Sequence, residues 1–571
     1  MKRRTAWILV TGVAALALGA AAMGALALVL RGGGRTPGLG GDAYLDLDLS
    51  GSIPEQPPSD LGLFFDARPP SLRALVESLD RGAQDPKVKG AVLRVGSLSD
   101  AGWGKVQELR DAIARFRKSG KPAYAHLEMC GNREYYLATA CSKIFAVRSA
   151  LLLVSGLSAE VTFFRNTLDK LGVQAEFEGV GKYKNAPNQF TEAGFTGPHR
   201  EQTEALLDSL FDQYVGAIAE GRKKTREEVK DLIDHGPYDG PSALAAGLVD
   251  ELVYHDEVEK RIKSSDRLTP GRYLRGARGF GLDSRPKVAL IYAVGQIVSG
   301  ESQAGPLSGE VVGSDTMVRA IREARKDTSI RAIVLRVDSP GGSGTASDVI
   351  WREVSLARRE KPVVVSMGDV AASGGYYIAM GGDAIVAEPG TITGSIGVFS
   401  GKFNLRGLYD KVGLTKEILV RGNNAAIFSD YRPWSEDEKV RIRTLMRSFY
   451  DEFISKAAEG RKKTVEEIDR VAQGRVWTGA EALKVGLVDS LGGLDTALAI
   501  ARARAKIGVG AELDLVVLPE RKGLFDLLME RQGEGVSDRL PSPELRAMLR
   551  WATAISDHGP VARLPFDLRV K

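Results

Sequence analysis

The chain contains itself twice, with a period near 240 residues, and this constrains its fold more than any other feature. VLRV stands at 92–95 and again at 334–337, and Tyr135-Tyr136 returns 241 positions later as Tyr376-Tyr377. AEGRKKT at 219–225 recurs at 458–464, and GLVD at 247–250 recurs at 486–489, both offset by 239. A period this long is not a solenoid unit, so it predicts one duplicated domain. Length agrees, because 571 residues exceed what a single core usually organises. The expected domains run over 43–264 and 287–510. Residues 265–286 are expected to link them, and the repeat fades into a C-terminal extension over 511–571.

Each copy alternates β-branched runs with helical patterns. In the second copy, Val288–Val294, Ala332–Val337 and Val363–Ser366 read as strands. Helical stretches precede VLRV at 70–82 and 315–325. Residues 436–457 predict a helix with Ile442, Leu445, Met446, Phe449 and Phe453 on one face. Alternating strands and helices predict an α/β fold with parallel βαβ units in both halves.

The N-terminus predicts a membrane anchor. Residues 7–30 carry no charge, and a helix of that length spans about 36 Å, enough for a hydrocarbon core of about 30 Å. Lys2, Arg3 and Arg4 precede it, which keeps the N-terminus in the cytoplasm and puts the remainder outside. A cleaved signal peptide is the competing reading. Residues 31–41 (RGGGRTPGLGG) read as a flexible tether.

Charge and cysteine content exclude several functions. Lys+Arg 78 against Asp+Glu 73 leaves a formal net charge of +5, with no broad basic surface for nucleic acid. Cys130 and Cys141 form no CxxC pair, and no His/Cys cluster suggests a metal, so neither a metal nor another cofactor is expected. The two thiols read as free or incidentally paired.

Glycine concentrates in three segments of the second copy: Asp338–Gly344, Ala371–Tyr377 and Thr391–Gly397. Loops after the strand ends of a parallel sheet gather at one crevice, where glycine lets backbone N–H groups approach a ligand. Ser373 opens a short helix within the second segment. A serine beside such donors suits acyl transfer, with the oxyanion held by the amides of Gly374 and Gly342. A nucleophilic serine needs a base. The five histidines (His126, His199, His235, His255 and His558) all lie outside the second copy's core, so a Ser–His–Asp triad is not expected. Lysine is the alternative, provided burial lowers its pKa.

Aligning the tyrosine pairs puts Asn132 where Ser373 sits. Conversely, Gly181-Lys182-Tyr183-Lys184-Asn185-Ala186 aligns with Gly422-Asn423-Asn424-Ala425-Ala426, and no lysine occurs between Lys416 and Lys439. Each half keeps what the other lost.

These segments resemble signal peptide peptidase A in its long, tandem-domain form, also called protease IV, of the Clp-protease/crotonase fold. The resemblance covers about 43–510 and rests on Ser339-Pro340-Gly341-Gly342, Ala371-Ala372-Ser373-Gly374-Gly375-Tyr376 and Thr393-Gly394-Ser395-Ile396-Gly397. It implies a Ser–Lys peptidase that degrades signal-peptide remnants at the outer face of a bacterial inner membrane. Ser373 falls on the family's nucleophile, Lys184 on its general base, and Ser395 on a serine that orients the lysine. It also implies bowl-shaped homotetramers. The lysine segment departs from the family's usual Tyr-Lys-Ser-Ala-x-Glu-Pro-Phe, reading Tyr183-Lys184-Asn185-Ala186-Pro187-Asn188-Gln189-Phe190, and Lys182 is a rival base. Two other readings share the fold: a crotonase-like acyl-CoA enzyme and a catalytically inactive scaffold that binds membrane proteins.

Overall fold

The computed structural model describes residues 42–56, 69–262, 266–277, 285–305, 309–519 and 561–563. The expected anchor over 7–30 and the tether over 31–41 lie outside these. Among the described residues no helix is long and apolar enough to cross a membrane.

The chain is α/β, with two largely parallel sheets that follow the same order. In the first half, Lys143–Leu152, Ala123–Cys130, Val88–Leu98 and Ala43–Gly51 lie side by side in parallel. In the second, Ala384–Ala387 and Ile392–Gly394 both pair with Val363–Ala372, followed by Ile330–Ser339 and Lys287–Val294. The central strands are near-continuous apolar runs because both faces are buried. Helices Leu72–Gln84 and Ser314–Lys326 occupy equivalent places before VLRV.

The repeated motifs make the same contacts twice. Tyr135 donates its hydroxyl to Leu248 O at 2.7 Å, and Tyr376 donates to Leu487 O at 3.0 Å. Thus the tyrosine pairs and the GLVD segments recur together. Arg222 forks onto Asp250 and Arg461 onto Asp489, tying AEGRKKT to GLVD in both halves. The other oxygen-bonding partner repeats as well: Asp250 accepts from Ile144 N and Asp489 from Ile385 N, each at 2.7 Å.

Some boundaries differ from the sequence reading. The strand expected at Val363–Ser366 continues to Ala372, which carries it to the serine loop. The linker region holds a strand, Asp266–Leu268, that pairs with Ala43–Leu45, and a helix, Pro270–Ala277. The C-terminal region supplies Asp514–Leu518 to the edge of the second sheet beside Lys287–Ile291. Leu445 is 59% exposed rather than on the buried face of Glu436–Arg461. The buried stripe runs through Ile442, Met446, Tyr450, Phe453 and Ala457 at the helical period, and Leu445 falls one residue to its side.

A third, mixed sheet joins the halves. Its order is Gln303–Gly305, Gly309–Gly313, Gln296–Val298, Gly341–Ser343, Val561–Arg563, Val398–Asn404 and Gln174–Val180. The last pair is antiparallel and crosses between halves, with Val180 opposite Val398 and Gln174 opposite Asn404. Phe177, Phe190, Phe399 and Phe403 pack together on this ladder.

Candidate active site

The cross-half ladder decides where the lysine loop goes. It ends at Val180 and Val398, three residues past Ser395 and four before Lys184. Beyond it, Gly181 turns the chain with a φ of 120°, and Tyr183 N donates to Gln473 O at 2.7 Å. Gly474 lies directly against the lysine backbone: a Cβ there would stand 2.5 Å from Lys184 N. Gly474 also has a φ of 76°, so a side chain is disfavoured there on two counts. Sequence reasoning missed Gln473 and Gly474; neither carries a reactive group, and only the fold brings them to the lysine.

Lys184 Nζ lies 2.7 Å from Ser373 Oγ, 2.9 Å from Ser395 Oγ and 3.0 Å from Ser395 O. All three residues are buried. Burial pushes the Lys184 amine well below the ordinary lysine value, because the charged form has lost its water. The rival Lys182 is exposed, near Tyr183 and Glu201 and away from the serines.

Ser373 sits between the strand Val363–Ala372 and the helix Gly374–Ala379 with φ 54° and ψ −112°. Positive φ is uncommon for a residue with a Cβ and costs on the order of 1–3 kcal/mol. Two hydrogen bonds hold it there: Ser373 N donates to Gly394 O and Tyr377 N donates to Ser373 O, each at 2.8 Å. Ser395 also has a positive φ, 53°, and its N–H donates to Arg475 O at 2.7 Å. The turns aim two hydroxyls at one amine.

Gly374 is the first residue of the short helix, a position whose N–H has no acceptor within the helix. Gly342 lies in Gly341–Ser343, beside Ile297 on one side and the strand Val561–Arg563 on the other. A Cβ on Gly342 would collide with Ile297 O, so the strand approaches this closely only with glycine. Val561–Arg563 runs antiparallel to Gly341–Ser343 and also meets Phe399 through Val561. An extended piece of the chain's own C-terminal region therefore fills the slot between the glycine strand and Val398–Asn404.

The first half's counterpart of Ser373 is closed. Asn132 is buried, donates from Nδ2 to Gly156 O at 2.7 Å, and accepts at Oδ1 from the Tyr214 hydroxyl at 3.0 Å. Cys130 and Cys141 are buried free thiols, and no group able to hold a metal occurs among the described residues.

The sequence profile described as Peptidase family S49 matches this chain twice, over residues 115–269 and 355–508. The chain belongs to peptidase family S49. Among its relatives, the chloroplastic serine protease SPPA of Arabidopsis thaliana is 37% identical over 78% of this chain and 68% of its own. Protease 4 of Salmonella typhi is 32% identical over 88% of this chain and 84% of its own. A solved mutant of the 1510-N membrane-bound stomatin-specific protease is 19% identical over 41% of this chain and 98% of that one, with a TM-score of 0.26. As an S49 member the chain is a serine peptidase, and the crotonase-like reading is set aside.

Proposed function

We propose that this S49 peptidase hydrolyses cleaved signal peptides and other apolar peptides through a Ser373–Lys184 dyad. The observation that carries the reading is the 2.7 Å contact between Lys184 Nζ and Ser373 Oγ, made by a buried amine that burial holds towards its neutral form. Neutral Lys184 takes the hydroxyl proton as Ser373 Oγ attacks the peptide carbonyl, and the amides of Gly374 and Gly342 receive the developing oxyanion. The Lys184 ammonium then protonates the leaving amine, giving an ester on Ser373. Water, deprotonated by Lys184, hydrolyses that ester and restores the serine. Ser395 keeps the amine aimed through its hydroxyl and carbonyl.

The extended strand Val561–Arg563 supports the same reading, since a slot that accepts one backbone as a strand suits a peptide substrate. The apolar, positively led segment over 7–30 supports a single-pass anchor in a bacterial inner membrane, with the peptidase on the periplasmic side. Homotetrameric assembly is part of this proposal. An inactive scaffold would gain nothing from two strained serines around one desolvated lysine.

An active-site-directed peptide phosphonate tests the chemistry. It should modify Ser373 in the native chain and lose its target in Ser373→Ala. Labelling at another serine, or peptide hydrolysis retained by Ser373→Ala, would overturn the dyad.

A further inference from the structure

Gly342 and Ser373 follow the ends of two neighbouring parallel strands, Ile330–Ser339 and Val363–Ala372. These strands run in step as far as Val337 opposite Met367 and resume with Ser339 opposite Ala371. Asp338 alone therefore faces Gly368, Asp369 and Val370, which makes a bulge just before the site. Bulges re-aim the side chains around them. Each strand places one aspartate in this bulge, four residues before the group it carries: Asp338 before Gly342 and Asp369 before Ser373. Val370 N donates to Asp338 Oδ1 at 3.0 Å across it.

The first half is seated on this bulge. At the start of its helix Trp103–Lys118, Gly102 N donates to Asp369 Oδ2 at 2.7 Å and Lys105 N to Asp369 Oδ1 at 2.8 Å. A Cβ on Gly104 would stand 2.7 Å from Gly368 O, so the helix comes this close only with glycine there. Lys105 is buried, and its Nζ lies 3.1 Å from Asp338 Oδ2 and 3.5 Å from Asp369 Oδ2. Glu55 faces the same space, held by Arg336, which also binds Glu108. Burial by itself lowers the Lys105 amine, but Asp338, Asp369 and Glu55 outweigh it and hold the amine above the ordinary lysine value, so it is charged. The first half has no such arrangement of its own. The offset of VLRV puts Gly96 at the place of Asp338, and that of the tyrosine pairs puts the exposed Glu128 at the place of Asp369. The copy with Asn132 in place of the serine thus also lacks the two aspartates.

We infer that Lys105 is a positioning residue of the peptidase reaction: by bridging Asp338 and Asp369 it fixes the bulge that sets the Gly342 amide against Ser373 Oγ. This rests on the dyad proposed above and deepens it, since Lys105 touches neither substrate nor the reacting atoms. An oxyanion donor works only within about 2.7–3.1 Å of the oxygen that forms, and a misplacement of about 1 Å can cost about 100-fold in rate. Two facing carboxylates stripped of their shared cation repel each other, and the bulge that holds them opens. The first half then gives the site two lysines in opposite states. Lys184, which burial holds towards neutrality, serves as the base, and the charged Lys105 holds the two strands in register.

The test is steady-state kinetics on a short apolar peptide, using the full chain in detergent micelles with its sites counted by phosphonate titration. Lys105→Met should lower kcat per titrated site about 10- to 100-fold, with KM within about twofold of native. The loss should deepen as pH rises, because the two aspartates share a proton at low pH and repel once both are ionised. Glu55 and Glu108 keep Arg336 as their partner throughout. Lys105→Met combined with Asp338→Asn keeps an acceptor for Val370 N and removes the repulsion, so most of the kcat should return and the pH dependence of the loss should flatten. A residue that only supported the fold would lower Tm and leave kcat per titrated site unchanged, and that result would overturn the inference. So would a double variant no more active than Lys105→Met. If Lys105→Met does not accumulate, Lys105→Arg carries the test. It keeps the charge, but a planar guanidinium does not reproduce both amine contacts, so kcat should fall severalfold at a near-native Tm. A native kcat in that variant would overturn the inference. Labelling of Ser373 in the unaltered chain reads the dyad separately: label at another serine sinks the dyad, whereas label at Ser373 with an unchanged kcat in the Lys105 variants sinks this inference alone.

Discussion

Lys184 of the first half and Ser373 of the second, 189 residues apart, meet at 2.7 Å within one chain. The proposed reaction centre therefore draws one residue from each copy. Neither half holds a complete dyad, because Asn132 stands at the first half's serine position and no lysine stands in the second half's matching loop.

The pH dependence of hydrolysis follows from the buried amine. Lys184 acts as a base only when neutral, and burial holds its pKa below the ordinary value. The rate constant kcat/KM should rise with pH through one apparent pKa below 10.5 and then level off. Stability has its own sign. The unfolded chain binds the lysine proton up to its normal pKa while the folded chain has released it, so this residue's penalty is largest at low pH and fades as pH rises through the unfolded value. Lys184→Met should therefore raise Tm at neutral pH while abolishing activity. A higher Tm without activity distinguishes removal of a desolvated base from general damage. Lys184→Arg should be inactive at every pH, because guanidinium does not act as a base.

Ser395→Ala should lower kcat about 10- to 100-fold with little change in KM. Lys184 Nζ keeps Ser373 Oγ and Ser395 O as neighbours but loses the hydroxyl at 2.9 Å that fixes its direction. Steady-state kinetics on a short apolar peptide measures the split. A loss as deep as that of Ser373→Ala would make Ser395 part of the chemistry rather than a positioning residue.

Arg336 couples the halves beneath the site. It is 1% exposed, forks onto Glu55 and also reaches Glu108, both from the first half, while donating to Ser366 of the neighbouring strand. Arg336→Leu leaves two buried carboxylates without their cation and should destabilise the chain by about 3–5 kcal/mol. Urea unfolding measures this. A change below about 1 kcal/mol would mean that the carboxylates take up protons at little cost.

Deleting residues 520–571 should lower KM for short peptides severalfold. The strand Val561–Arg563 stands in the slot beside Gly341–Ser343, and a tethered occupant competes with substrate at high effective concentration. Comparing KM and kcat for the shortened and full chains checks it. An unchanged KM would show that the strand yields to substrate without cost.

Much of this protein was legible in its residues. The α/β alternation and the three glycine segments are local patterns, legible because period and turn chemistry act over a few residues, and the repeat is legible because two stretches of one sequence can be compared directly. Ser373 could be singled out because the glycines around it announce tight turns and close backbone approach, whereas Ser395 was marked only by the family resemblance. Comparison of the copies pointed to the segment with Lys182 and Lys184 by showing which half lacked a lysine, and the family resemblance favoured Lys184.

The rest depended on contacts between residues far apart in sequence. Burial of Lys184 comes from strands and loops of both halves closing over it, and no window of sequence contains that environment. Gln473 and Gly474 hold the lysine loop through backbone atoms, which carry no signature in a side-chain alphabet. The arginine of VLRV shows the same limit: Arg94 is 41% exposed beside Asp46 and Asp48, whereas Arg336 is buried among glutamates. Sequence determined which groups could react. Tertiary structure decided which of them lost water and met, because desolvation and distance belong to the packed surroundings rather than to the residue itself.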